Sequence, residues 1–301
     1  MFKADFNAVI HFDFFLNIFC GPIFLQYYTL YNYYQSIFWR VQHKAGSLFV
    51  SLRVMYRHIN KEEYSDIQSR ILFEDNHFII FNKRAGEIVQ GDKTGDECLS
   101  ETLKAFVAQR DSKPGAVYMG VPHRLDRPVS GAVIFAKTSK GLERINDMLR
   151  KGLVHKTYWA LVCARPQKDE AELVHYLTRN EKQNKTYVLP ESQAEKLTST
   201  SLGSIDLHGA VYKAARLKYK LIKVTDRYFL LEVQLLTGRH HQIRVQLSTI
   251  GCPIKGDLKY GSPRSNKDGS ISLHARQISF THPVTHAEVS VIAPVDWVQL
   301  Q

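Results

Sequence analysis

Two runs with alternating apolar positions, Leu217 to Val224 and Tyr228 to Leu236, flank the short turn Thr225-Asp226-Arg227. That pattern reads as an antiparallel hairpin. Shorter strand-like runs lie upstream. Ile71-Leu72-Phe73 and Phe78 to Phe81 bracket Glu74-Asp75-Asn76, and Ala132 to Ala136 and Lys156 to Val162 follow. Helical spacing occurs at Leu99, Leu103, Phe106 and Val107, and again at Leu142, Ile145, Met148 and Leu149. A third, short helix is marked by Ile243, Leu247 and Ile250, with Gly251 closing it and Pro253 beyond. Strands outnumber helices and do not alternate regularly with them. The chain is therefore expected to be α+β with a mixed or antiparallel sheet, and not a doubly wound parallel one. Glu191 to Asp206, rich in Ser, Thr, Glu and Lys, is expected to be a loop.

The first part of the chain is of another character. Phe14 to Trp39 carries no charge and is crowded with Phe and Tyr. It is long enough to span a bilayer, but Asn17, Gln26, Asn32 and Gln35 are scattered through it and Gly21-Pro22 interrupts it. A membrane anchor is therefore the second reading and a genuine extra subdomain the third, and the segment lacks the pattern of a signal peptide. Residues 1–67 are expected to be an extension outside the functional domain, with 68–301 forming that domain and Met55 as a candidate natural start. The four cysteines, Cys20, Cys98, Cys163 and Cys252, are far apart in sequence, so no Cys-x-x-Cys pair exists. Scattered thiols fit a reducing compartment, and a cytoplasmic protein is expected. Forty Lys and Arg stand against 29 Asp and Glu. Such a surplus suits an anionic partner.

Chemistry is concentrated in His123-Arg124-Leu125-Asp126-Arg127-Pro128-Val129-Ser130-Gly131, just ahead of the apolar run Ala132 to Ala136. An aspartate lies between two arginines, and turn residues follow it. Positive surroundings favour the anionic form of a carboxylate. The loop thus suits one carboxylate held ready at the edge of a sheet; a plain surface Asp–Arg pair is the alternative. No phosphate-binding glycine loop, dinucleotide fingerprint or paired metal-ligand spacing is present. His240 and His241 are adjacent, and on a helix adjacent residues do not face one site.

Further blocks follow in order: Lys156-Thr157-Tyr158-Trp159-Ala160-Leu161-Val162, then Thr237-Gly238-Arg239-His240-His241-Gln242-Ile243-Arg244, then Gly251 to Asp257 with Tyr260-Gly261. Upstream stands Asn82-Lys83-Arg84-Ala85-Gly86. Together, from about Ile71 to Trp297, they resemble the RluA family of RNA pseudouridine synthases, in its short form without the small N-terminal RNA-binding domain. The resemblance implies a long bent mixed sheet with flanking helices around a central RNA-binding cleft. It implies isomerisation of uridine to pseudouridine in structured ribosomal or transfer RNA by a monomer that needs no cofactor and no metal. A fold of this kind that binds RNA without turnover is the alternative.

Residue by residue, Asp126 matches the family's catalytic aspartate, Arg244 the arginine that pairs with it, and Tyr158 the pocket tyrosine. Attack on the ribose, addition to the uracil ring and removal of a ribose proton all remain open for Asp126. Arg124 matches an arginine associated with the flipped-out nucleotide. His123, Arg239, Gln242 and Ile243 complete the expected substrate contacts, with His123 expected to fix its loop by hydrogen bonding. Arg84, Val129 and Gln246 depart from the family's usual Pro, Thr and His.

Overall fold

The computed structural model describes residues 56–91, 95–190, 204–207, 210–295 and 297. The expectations for residues 1–54 and for most of the loop after Glu191 lie outside the described residues. The functional part is a compact unit running from Val54 to Gln301.

Its elements in chain order are α1 (Lys61–Ser69), β1 (Ile71–Glu74), β2 (Phe78–Lys83), α2 (Leu99–Arg110), β3 (Ser130–Ala136), α3 (Ser139–Arg150), β4 (His155–Val162), β5 (Glu170–Asn180), β6 (Lys185–Val188), β7 (Ser204–Leu207), β8 (Ala210–Val224), β9 (Phe229–Leu235), α4 (Gln242–Thr249), a 3-10 turn (Leu258–Tyr260), β10 (Leu273–Thr281) and β11 (Glu288–Ile292). Eleven strands form one sheet in the order β1-β2-β3-β10-β4-β9-β8-β5-β6, with β11 paired to β10 and β7 to β8. Only the β3–β10 pair is parallel among the described strands. The fold is therefore α+β with a mixed sheet. Ser204–Leu207, inside or next to the expected loop, forms β7 because its alternation matches the start of β8.

β2 and β3 read as unbroken apolar runs because both of their faces are covered. Ile79, Phe81, Val133 and Phe135 enter one core, together with Leu103 and Phe106 of α2 and with Tyr158, Ala160, Val233 and Leu247. Phe78, Ile80, Ala132, Ile134 and Ala136 enter a second core under Ile145 and Met148 of α3. Thr138 caps α3 by accepting a 3.0 Å bond from the Gly141 N–H.

The expected boundary at residues 67 and 68 falls inside α1. Ile59 and Ile67 are each 1 % exposed and belong to the first core. The Ile59 N–H donates to Gln109 Oε1 at 3.0 Å, and Gln109 Nε2 donates back to the Ile59 carbonyl at 2.9 Å. Two core isoleucines and this reciprocal pair tie the segment to α2.

Gly131 lies where β3 runs beside β10. Its φ is +112°, and a Cβ there would meet the Ala275 carbonyl oxygen at 2.4 Å. Only glycine suits both the conformation and the approach. This close contact sets where the loop carrying Asp126 enters the sheet.

Candidate active site

Four elements and two loops converge on a pocket at the middle of the sheet. It is lined by Arg124, Leu125, Asp126 and Val129 from the loop before β3, Tyr158 from β4, Leu235 from the end of β9 and Leu273 from the start of β10, with Arg239 and His241 to Arg244 completing it. Of the residues expected from sequence, the structure gathers Arg124, Asp126, Tyr158, Arg239, Gln242, Ile243 and Arg244 here. His123 is not among the lining residues. Its Nε2 accepts the Ile134 N–H at 3.1 Å, so it braces the loop against β3. Burial, with Lys156 nearby, lowers its pKa from 6.5 to about 3 and keeps the ring neutral.

The partner of Asp126 is not a flanking arginine. Arg127 pairs with Asp96 at 2.8 Å and donates to the Gly86 carbonyl at 3.1 Å, while Arg124 is exposed at the pocket. Asp126 Oδ2 accepts instead from Arg244 Nη1 at 2.9 Å, across 118 positions of sequence. Arg244 is 5 % exposed, and its other edge is gripped by Asp257. Nε and Nη2 donate to Oδ2 and Oδ1 of Asp257 at 2.7 and 2.9 Å. This two-point fork fixes the guanidinium plane. The Tyr260 ring covers the guanidinium, with 5.0 Å from carbon to centroid. One arginine thus spans a buried carboxylate that holds it and a half-buried one that it presents.

The loop's backbone is anchored from behind by Lys83, which is 1 % exposed. Its Nζ donates to the carbonyls of Arg84, Arg127 and Val129 at 2.9, 3.1 and 2.6 Å. Two of those carbonyls lie within three residues after Asp126 in sequence. Burial lowers the Lys83 pKa to about 8, opposed by Glu87 and Asp126.

Tyr158 is 6 % exposed and shares a core with Ala160 and Val162, as strand alternation requires. Burial first, and the Asp126 charge second, raise its pKa well above 10, so the phenol keeps its proton. A protonated hydroxyl on an apolar wall can stack a flat base and pass a proton.

The segment before α4 is a folded turn, not part of a helix. His241 takes the left-handed conformation at φ 52° and ψ 23°, and α4 starts at Gln242. The His240 and His241 rings stack with centroids 3.7 Å apart, so the argument from a helix surface does not apply to them. Gln242 spends its amide on the turn: Oε1 accepts from Arg239 N–H at 2.9 Å and Thr237 Oγ1 at 2.8 Å, and Nε2 donates to the Arg216 carbonyl at 3.0 Å. It shapes the pocket rim. Arg239 is exposed, with Nε donating to the Ala214 carbonyl at 3.1 Å. Ile243 supplies apolar wall at 4 % exposure. Gly251 (φ +76°) ends α4, with the Cys252 N–H reaching the Leu247 carbonyl at 2.9 Å and the Gly251 N–H the Ser248 carbonyl at 3.0 Å.

Of the three departures, Val129 is buried in the pocket wall and Arg84 pairs with Asp66 on the surface. Gln246 is fully buried away from the pocket and donates to the carbonyls of Leu173 and Ala215 at 3.3 and 3.2 Å.

The family model for RNA pseudouridylate synthase matches residues 77–249. A ribosomal large subunit pseudouridine synthase C from Rickettsia bellii is 32 % identical over 225 residues, covering 74 % of this chain and 67 % of the relative. The tRNA pseudouridine synthase C of Vibrio parahaemolyticus is 29 % identical over 249 residues, covering 78 % of this chain and 94 % of the relative. The chain thus spans about two thirds of the length of the first and nearly all of the second. A solved structure of human RNA pseudouridylate synthase domain containing 4 shares the fold, with a TM-score of 0.62 at 21 % identity over 79 % of this chain and 92 % of that one. The family model takes in more than half of the chain, including the loop of Asp126, the strand of Tyr158 and the helix of Arg244, and the chain belongs to the RNA pseudouridylate synthases, isomerases that act on RNA.

Proposed function

We propose that the pocket receives a uridine flipped out of a structured ribosomal or transfer RNA, and that Asp126 is the carboxylate that reacts with it. The supporting observation is the setting of Asp126: Arg244 fixes it from within the fold, while it still faces a pocket walled by Tyr158, Ile243, Leu235 and Leu273. Pseudouridine formation breaks the bond from ribose C1′ to uracil N1 and joins C1′ to C5 of the same base. The C5 hydrogen leaves as a proton and N1 gains one. The product is an isomer, so the reaction consumes no oxidant, reductant or group donor. It requires one placed carboxylate, a dry wall and a proton carrier. A carboxylate is a competent nucleophile in sugar chemistry. Tyr158 supplies the stacking face and a hydroxyl for proton transfer. Arg124, exposed at the pocket, fills the space the base leaves in the RNA and so offsets part of the unstacking cost of a few kcal/mol.

The catalytic domain in this reading comprises the unit that starts at Val54, residues 68–301 together with α1. It acts as a monomer, without cofactor or metal, in the cytoplasm, where ribosomal and transfer RNA are found. No helix among the described residues is long and apolar enough to cross a membrane.

The test is single-turnover conversion of an RNA substrate chosen by comparing pseudouridine maps with and without the gene. Asp126→Asn keeps the size of the side chain but not its charge. It is expected to abolish conversion while RNA affinity stays within about tenfold, or about 1.4 kcal/mol, because phosphate contacts supply most binding. Turnover by a well-folded Asp126→Asn protein removes Asp126 from the reaction.

A further inference from the structure

Two nitrogens approach one oxygen of Asp126. Arg244 Nη1 lies 2.9 Å from Oδ2, and His241 Nε2 lies 3.3 Å from the same atom. Among the described residues both side-chain partners of Asp126 thus fall on Oδ2, and Oδ1 is left to the pocket that Asp126 lines.

The far side of the imidazole determines which nitrogen carries the proton. The Tyr260 hydroxyl oxygen accepts the Thr186 N–H at 2.8 Å. Its own proton is then free to go to His241 Nδ1, 2.9 Å away. Nδ1 becomes an acceptor, and the ring proton sits on Nε2, 3.3 Å from Asp126 Oδ2. The ring itself is held in place by the left-handed backbone of His241 and by the stacked His240. Thr186 Oγ1 in turn holds His240, at 2.7 Å from Nδ1. Burial and the neighbouring Arg244 keep His241 neutral, which suits the arrangement. Asp126 thereby has a neutral N–H 3.3 Å away beside its bond from Arg244, without a second cation. Arg244 already shares its charge with Asp257. Arg244 thus orients the carboxylate while sharing its charge with a second one.

We infer that His241 is a positioning residue for this reaction, its Nε2–H acting with Arg244 to immobilise Oδ2 so that Oδ1 is the oxygen presented to the uridine. The inference rests on the reading of Asp126 as the reacting carboxylate, and it holds whichever bond Oδ1 makes. Tyr260 belongs to the same device at one remove.

The experiment uses the full chain and an RNA transcript carrying the uridine whose modification is lost on deleting the gene. Single-turnover rate and RNA affinity are measured separately for His241→Leu, His241→Gln, Tyr260→Phe and the double variant His241→Leu/Tyr260→Phe, with Asp126→Asn as control. His241→Leu removes the N–H donor and is expected to slow conversion about 30-fold, with affinity within about threefold. His241→Gln restores a donor and is expected to recover about tenfold of that loss. Tyr260→Phe should slow the wild-type background but add little to His241→Leu, because its hydroxyl acts through the histidine. A His241→Leu rate equal to wild type overturns the inference, as does a His241→Gln rate no better than His241→Leu, or fully additive effects of the two substitutions. If His241→Leu folds poorly, the His241→Gln and Tyr260→Phe rates decide it alone: both near wild type and reduced respectively sustain it, and an unchanged Tyr260→Phe rate overturns it. A silent Asp126→Asn beside a full-rate His241→Leu defeats only this inference; turnover by Asp126→Asn defeats the underlying reading.

Discussion

Arg244 satisfies two carboxylates, of which Asp257 is 1 % exposed and Asp126 faces the pocket. Removing the guanidinium leaves a buried anion with no counter-charge, so Arg244→Ala is expected to cost about 3–5 kcal/mol of stability as well as activity. Denaturant unfolding checks the first effect, and an unchanged midpoint would show that Asp257 is paired elsewhere. Asp126→Asn should leave that midpoint nearly unmoved, since the buried Arg244–Asp257 pair survives it. His123 gives the pH response at this scale. Its folded pKa, near 3, lies below the ordinary 6.5 because of burial and Lys156. Between those values the unfolded chain binds the extra proton, so stability falls as pH drops through that window. His240 and His241, also lowered by burial, act in the same direction. His123→Gln keeps an acceptor for the Ile134 N–H but does not titrate. It should lose less stability than wild type between pH 7 and 5, measured as a shift in urea midpoint; equal losses would exclude His123 from the acid response. Asp126, Tyr158 and Arg244 were legible as residues because each sits in a motif. The pairing of Arg244 with Asp126 was legible too, through the resemblance, and it stands at 2.9 Å; the approach of His241 from the turn before α4 was not. For His241 the sequence offers only its adjacency to His240, which on a helix would point the two rings apart. Its left-handed backbone, which no spacing rule reveals, turns it toward the carboxylate.

At the scale of elements, strands with apolar alternation or two covered faces were readable, and so were α2 and α3. Two kinds of element were not. β5 runs Glu170–Asn180 with only Leu177 buried, so its sequence carries almost no core signal. It is held by register with β8 and β6. α1 is polar apart from a few positions, with Ile67 its one buried residue, and is recognised by its cap: Asn60 accepts from the Glu63 N–H at 2.9 Å. That weak pattern explains why the boundary expected from sequence falls inside it. The consequence is testable by truncation. A chain starting at Met55 keeps Ile59, Asn60 and Ile67 and is expected to fold and convert RNA at full rate. A chain starting at Ile71 loses two core isoleucines and their contacts with α2. It should lose on the order of 4 kcal/mol, a large share of a typical domain's stability. Equal thermal midpoints for the two chains would show α1 to be dispensable and restore the boundary expected from sequence.

For the molecule as a whole, the excess of 40 Lys and Arg over 29 Asp and Glu is a statement about long-range attraction to RNA. Part of that charge is spent inside the fold, as Lys83, Arg110 and Arg244 are on backbone carbonyls and carboxylates. The remaining exposed cations neutralise phosphates and release counterions, so RNA affinity should fall steeply and log-linearly with salt. Arg124 separates the two ways a cation can serve. It is exposed, stands beside the pocket, and has a role assigned here in the gap left by the uridine. If it merely neutralised a phosphate, Arg124→Ala would reduce the salt slope by about one and weaken binding to all RNA alike. Acting on the flipped nucleotide, it should leave the slope unchanged and slow single-turnover conversion about tenfold, the equivalent of about 1.4 kcal/mol of the unstacking cost. The slowing should shrink on an RNA whose target uridine is already unpaired in a flexible loop, because less stacking is lost there. A reduced slope with an unchanged rate would move Arg124 out of the pocket's chemistry and into the basic surface that guides RNA to it.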